Sequence, residues 1–213
     1  MERSAGIRIG RVLAFVTALL VASLILPIEI QSVLILETGP IEWLTVALYV
    51  VALGYILLKG VYRPLKWVFW LTFLLMLREL DFDSRFTEAK ITRSDFLFGV
   101  DIPMIQKIYG ITILAIFGWV VVKVLLTHGA GFWRELKAGT DLAISALLAV
   151  LAAGLSKLVD GSRRKFGYIG VELTEQQVTG LQLFEEILEL GIPLMIMVAI
   201  SLFLRRHRRG EWA

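Results

Sequence analysis

Cysteine is absent from this chain, and histidine is nearly so, occurring only as His128 and His207. Without thiols there is no disulfide, no zinc–thiolate site and no iron–sulfur cluster. The absence fits either side of a membrane and leaves the redox compartment open. Neither histidine accompanies a group of acids: His128 is expected just after an apolar segment, and His207 sits in a basic tail. That excludes a histidine-rich zinc centre, a bis-histidine haem and a Ser-His-Asp hydrolase of ordinary layout. The phosphate-loop and dinucleotide fingerprints are missing too, as are internal repeats and low-complexity stretches.

What the chain has in excess is apolar sequence. Of its 213 residues 57% are hydrophobic, and the mean hydropathy is +0.76. A soluble domain carries roughly 45–50% apolar residues, and here the surplus lies in long blocks, which is a membrane composition. The net charge of +3 is small, and the basic residues flank apolar blocks instead of forming one face. They read as topology signals and argue against a nucleic-acid partner. The lipid bilayer is the expected surrounding.

A helix needs roughly 20 apolar residues to span the hydrocarbon layer. Six candidates fit, at about 10–30, 42–59, 64–80, 107–127, 139–158 and 183–204. The expected fold is therefore an all-α polytopic membrane protein: a single transmembrane domain over 1–213, a bundle of about six helices with short interfacial amphipathic segments. The first block follows Arg3, Arg8 and Arg11 and resembles a signal peptide, but it is long and has no small-x-small site after it, so an uncleaved helix is expected. The third block is the weakest, because its apolar stretch, Leu65 to Leu77, is only 13 residues and includes Lys66. Four crossings, with that segment and a neighbour re-entrant, is the rival pattern. The positive-inside rule puts the N-terminal arginines and Arg205-Arg206-His207-Arg208-Arg209 in the cytoplasm. The expected location is a cell membrane, in a bacterial inner-membrane arrangement, with both termini cytoplasmic.

Local signals refine the loops. Thr174 followed by Gln177 predicts a capping box, and a helix that runs on into the sixth segment. Residues 84–106 mix Phe86, Phe96 and Phe98 with Glu88, Lys90, Arg93 and Asp95, the pattern of an amphipathic segment at the membrane interface. Trp43, Trp67, Trp70, Trp119 and Trp133 lie near segment ends, as an aromatic belt does, and Lys123 is placed to snorkel from the fourth segment.

Acids collect at three exits from the apolar blocks: Arg78-Glu79-Leu80-Asp81-Phe82-Asp83, then Asp160 after Lys157, then Glu185, Glu186 and Glu189. Under six crossings all three emerge externally, where the third, fifth and sixth helices end. Carboxylates at a membrane boundary need a cation, a proton or water. In a helix Glu185, Glu186 and Glu189 share one broad face. Three readings follow. The acids pair with Arg78, Arg85 and Arg163–Lys165 in a non-enzymatic component that binds a membrane partner or itself. Alternatively Glu79, Asp81, Glu185 and Glu189 hold Mg²⁺, Mn²⁺ or Ca²⁺ in an enzyme acting on a lipid or lipid-linked phosphate. In the third, the acids line the path of an ion or proton-coupled transporter, which should also show polar residues at mid-membrane.

Overall fold

The computed structural model describes residues 3–36, 39–82 and 102–208 together with Thr87, Ile91 and Phe96; side chains are described from Gly6 onward. Among these residues the chain is all-helical, without strands. In order the helices are α1 (Arg3–Ile25), α2 (Ile28–Leu34), α3 (Pro40–Leu58), α4 (Lys66–Glu79), α5 (Met104–Lys137), α6 (Asp141–Val159), α7 (Ser162–Tyr168) and α8 (Glu175–His207). Five of them, α1, α3, α5, α6 and α8, are long and apolar enough to cross a membrane. The protein is an all-α, multi-pass membrane protein by that measure. The exception among the expected spans is α4, whose 14 residues make about 21 Å of helix against the roughly 30 Å hydrocarbon layer.

The chain forms two compact units, Met1–Leu48 with Glu135–Ala213, and Tyr49–Arg134. In the first unit α8 is the central helix, packing on α6, α1, α2 and α7. It buries 61% of its apolar window, whereas α1 buries 11%. Leu183, Ile187 and Leu190 on α8 meet Ile41 of α3, with Val16, Leu19 and Leu20 of α1 packed around them. Burying one such side chain stabilises by about 1.5–3 kcal/mol in water; between lipid-surrounded helices close packing and polar contacts matter more.

The strand of contacts between α1 and α8 is antiparallel. Arg8 meets Ser201 at one end, Val16 lies 3.8 Å from where a Cβ on Gly191 would stand, and Leu24 lies 3.8 Å from the same point on Gly180. Helix α6 is likewise antiparallel to α8: Ser156 meets Glu189 toward one end, and at the other Thr140, the N-cap of α6, bonds Glu135 of α5, which pairs with Arg206 of α8.

Two helix boundaries differ from the sequence expectation, and the start of α8 follows it. The first segment breaks at Pro27, which cannot continue a hydrogen-bonded helix and pushes Leu26 out of it. Gln31 of α2 then donates its amide to the carbonyls of Leu24 (3.2 Å) and Leu26 (2.9 Å). Those donors serve the open carbonyl end of α1. The fourth segment extends to Lys137, ten residues beyond its expected end, so His128 lies inside α5 and not after it. Gly129 and Gly131 each cost helix about 1 kcal/mol, but the good helix formers around them carry it on to Gly139, where φ is +66°. The sixth segment begins at Glu175. Thr174 and Gln177 make the expected capping box, with Gln177 N–H on Thr174 Oγ1 and Thr174 N–H on Gln177 Oε1 (2.9 Å).

In the second unit, the expected amphipathic segment falls mostly outside the described residues. Of its residues, Phe96 is fully buried, and so is the neighbouring Ile91; both sit against Gly110 of α5. A Cβ on Gly110 would stand 2.4 Å from Phe96 Cε1 and 2.9 Å from Ile91 Cγ2. Gly110→Ala should therefore lower stability by about 1–3 kcal/mol through overpacking, read as a fall in melting temperature in detergent. The double change Gly110→Ala with Phe96→Leu should recover part of it.

Candidate functional site

The sequence-expected residues divide between the units. Arg78, Glu79 and Asp81 belong to the second, and Asp160, Glu185, Glu186 and Glu189 to the first. Asp83 and Arg85 lie outside the described residues.

At the end of α4, Arg78 Nη2 lies 3.0 Å from Glu79 Oε1, and the Glu79 side chain is nearly buried. A carboxylate in the last turn of a helix opposes the macrodipole, and a neighbouring guanidinium offsets that. Asp81 does something more local. Its φ is +48°, its N–H bonds Arg78 O, and Phe82 N–H bonds Leu77 O. This is the double hydrogen bond of a Schellman stop, with an aspartate where glycine is usual. The acidic exit after α4 is thus in part the chemistry of ending a helix.

In the first unit the same logic closes α6. Asp160 is its C-cap and pairs with Lys157, while Gly161 takes the left-handed conformation (φ +66°) that turns the chain into α7. Lys165 Nζ then donates to the carbonyls of Lys157 and Leu158, each at 3.0 Å. A cation on the last open carbonyls satisfies them and favours the helix dipole. Arg163 pairs with Glu175 at 3.1 Å, and both are well exposed, so that bond is worth at most about 1 kcal/mol.

Glu189 differs from these. Ser156 Oγ, on the fully buried Ser156 of α6, donates to Glu189 Oε1 at 2.6 Å. Counting back from Leu204, Glu189 lies 15 residues along α8, about 22 Å of the roughly 30 Å layer. Glu185 and Glu186 stand a turn earlier on the same helix. All three are half-buried.

Contacts that the sequence reading did not single out hold the opposite end. Arg206 Nη1 lies 2.7 Å from Glu135 Oε2, which also accepts from Thr140 Oγ1 at 2.9 Å. Thr140 at the same time caps α6 by accepting from Ala143 N–H. No local spacing signals a pair 71 residues apart. In the second unit, Trp67 and Trp119 meet edge to face with centroids 5.0 Å apart, Lys66 lies 4.8 Å from the Trp67 ring, and Lys123 is within 6 Å of both rings. Lys123 thus has an aromatic seat, worth roughly 0.5–2 kcal/mol, in place of a purely snorkelling position.

Of the four acids read as cation ligands, Glu79 and Asp81 lie in one unit and Glu185 and Glu189 in the other. Among the described residues no group of three or more His, Asp or Glu side chains is arranged to hold a metal ion.

Two substitutions separate structural from ligand roles. Asp81→Gly should leave the melting temperature unchanged or slightly raised, because glycine takes the left-handed stop without strain, and Asp81→Val should lower it. Ser156→Ala should destabilise by about 1–3 kcal/mol by removing the donor from a desolvated carboxylate. A thermal-denaturation cycle with Glu189→Gln should show coupling between the two positions and none between Ser156 and Glu175.

No protein-family model, curated protein or solved structure matches this chain.

Proposed function

We propose that the chain is a non-enzymatic, multi-pass component of a bacterial inner membrane, which works by associating with a membrane partner or with a second copy of itself. One observation carries the reading: three of the acids at the helix exits each lie against a single neighbouring group, by ion pair or hydrogen bond. Asp160 meets Lys157, Glu189 meets Ser156, and Glu79 meets Arg78. An active site presents carboxylates converging on an open point; a structural component closes each one. The spanning helices also offer few polar side chains at mid-membrane, which disfavours a transport path.

The orientation that goes with it has both termini in the cytoplasm. Helices α1 and α6 begin, and α8 ends, at one end of the first unit, and Arg8, Arg11, Lys137, Arg205, Arg206 and Arg208 mark that end. The positive-inside rule assigns it to the cytoplasm. Helix α3 starts at the opposite end, where Ile41 meets Leu183 and Ile187. Residues 59–134 then begin and finish on the cytoplasmic side and must cross twice. Helix α5, long and apolar enough to span, supplies one of those crossings.

Because the chain has no cysteine, single-cysteine variants test this directly. Tyr168→Cys should react with a membrane-impermeant maleimide in intact cells, and Lys59→Cys and Lys137→Cys only after permeabilisation. For the function, the purified full chain should show a mass above one protomer in native mass spectrometry, or retain a stoichiometric membrane protein. Its content of divalent metal should be unaffected by Glu185→Gln with Glu189→Gln. A stoichiometric metal lost in that variant, in a chain that stays monomeric and alone, would overturn the reading.

A further inference from the structure

A groove opens in the first unit between α1 and α8, with a volume of about 330 Å³. Val12, Leu194, Met197 and Val198 form its walls, with the aliphatic stems of Arg8 and Arg11 beside Ser201 toward one end, and the lining is almost wholly apolar. Arg8 Nη1 donates to Ser201 Oγ at 3.0 Å. A guanidinium has five donors, so that bond leaves most of them unused. Arg11 is one turn along on the same face and is exposed. Among the described residues no carboxylate pairs with either arginine.

The surroundings are apolar. On α1 itself Ile7, Phe15 and Leu24 each leave about half of their surface uncovered, so the groove opens where lipid lies. Two guanidinium groups beside such a surface need a counter-charge at headgroup depth. From Ser201 to Leu194 the groove runs seven residues inward, about 10 Å of helix, and beyond the charged end its walls are all apolar.

We infer that this groove holds an anionic phospholipid of the surrounding bilayer, with its phosphate on Arg8 and Arg11 and the upper part of one acyl chain along Val12, Met197 and Leu194. The charge pattern selects this occupant. A free phosphate would leave the apolar wall uncovered, and a zwitterionic lipid brings its own cation to compete with the arginines. Basic pockets between spanning helices at the cytoplasmic side recognise anionic headgroups in this way.

The test is native mass spectrometry of the full chain released from nanodiscs made of equal parts dioleoyl phosphatidylglycerol and dioleoyl phosphatidylcholine. Two cations near a phosphate each add severalfold in affinity, so phosphatidylglycerol should be retained about tenfold or more over phosphatidylcholine. Arg11→Gln should cut that preference severalfold, and Arg8→Gln with Arg11→Gln should abolish it, while the paired lysine substitutions keep part. Met197→Trp should lower retention of the lipid by filling the groove. Since Arg11 has no pairing carboxylate among the described residues, its glutamine variant should keep the parent's helix content by circular dichroism. Equal retention of the two lipids by the parent, or an unchanged preference in the double glutamine variant, would overturn the inference. So would displacement of the lipid by inorganic phosphate at matched concentration, because the apolar wall would then contribute nothing.

Discussion

The hydrogen bond from Ser156 to Glu189 is the constraint on which the first unit depends. A half-buried carboxylate on an apolar helix needs polar partners, because burying a charge without them costs several kcal/mol. The Ser156 hydroxyl is one of them, and its bond ties both the rotation and the axial register of α6 to α8. At the other end Glu135, in the last turn of α5, pairs with Arg206 of α8 and accepts from Thr140, the N-cap of α6, so the end of α5 ties the two helices together. Between these two polar clamps the facing surfaces are apolar side chains and small residues, which pack in many registers with similar energy. Hydrogen bonds between lipid-surrounded helices are individually modest, about 0.6–2 kcal/mol. Their value here is in choosing one register among several.

The helices themselves were legible because their causes are local. Length and continuity of apolar sequence mark α3 and α6 to within about two residues, and Thr174 with Gln177 marks the start of α8 by a mechanism that operates over four residues. Where the reading departed from the structure, two local signals competed. Pro27 stands inside an apolar run, and hydropathy averages over it while backbone chemistry does not. Gly129 and Gly131 look like a stop, yet each costs only about 1 kcal/mol, less than the flanking residues supply.

The site was legible as a set of positions but not as a set of contacts. That Asp160 would meet Lys157 follows from a three-residue spacing. That Asp81 would take a left-handed stop does not follow from its spacing to Glu79 and Asp83, which suits a helix or an extended ligand loop equally. The pairs that set the register, Ser156–Glu189 and Glu135–Arg206, join residues 33 and 71 positions apart. Serine and glutamate are common types at membrane boundaries, and one chain by itself offers no signal to match them.

The charged groups are also unequal in consequence, and burial decides which matter. Arg163–Glu175 and Lys157–Asp160 are exposed to water or headgroups, where screening and side-chain entropy leave an ion pair almost nothing. Their work is local, at the ends of α6 and α8. Arg206–Glu135 is mostly covered, and Ser156 is wholly so, so losing either contact strands a polar group. Arg8 and Arg11 fall between these cases: they are accessible, yet the surface beside them is apolar and no acid of the described chain pairs with them. A cation so placed draws its counter-charge from outside the protein. The closed acids at one end of the unit and the open arginines at the other therefore have one physical origin, the demand of a low-dielectric layer that every charge at its edge be met.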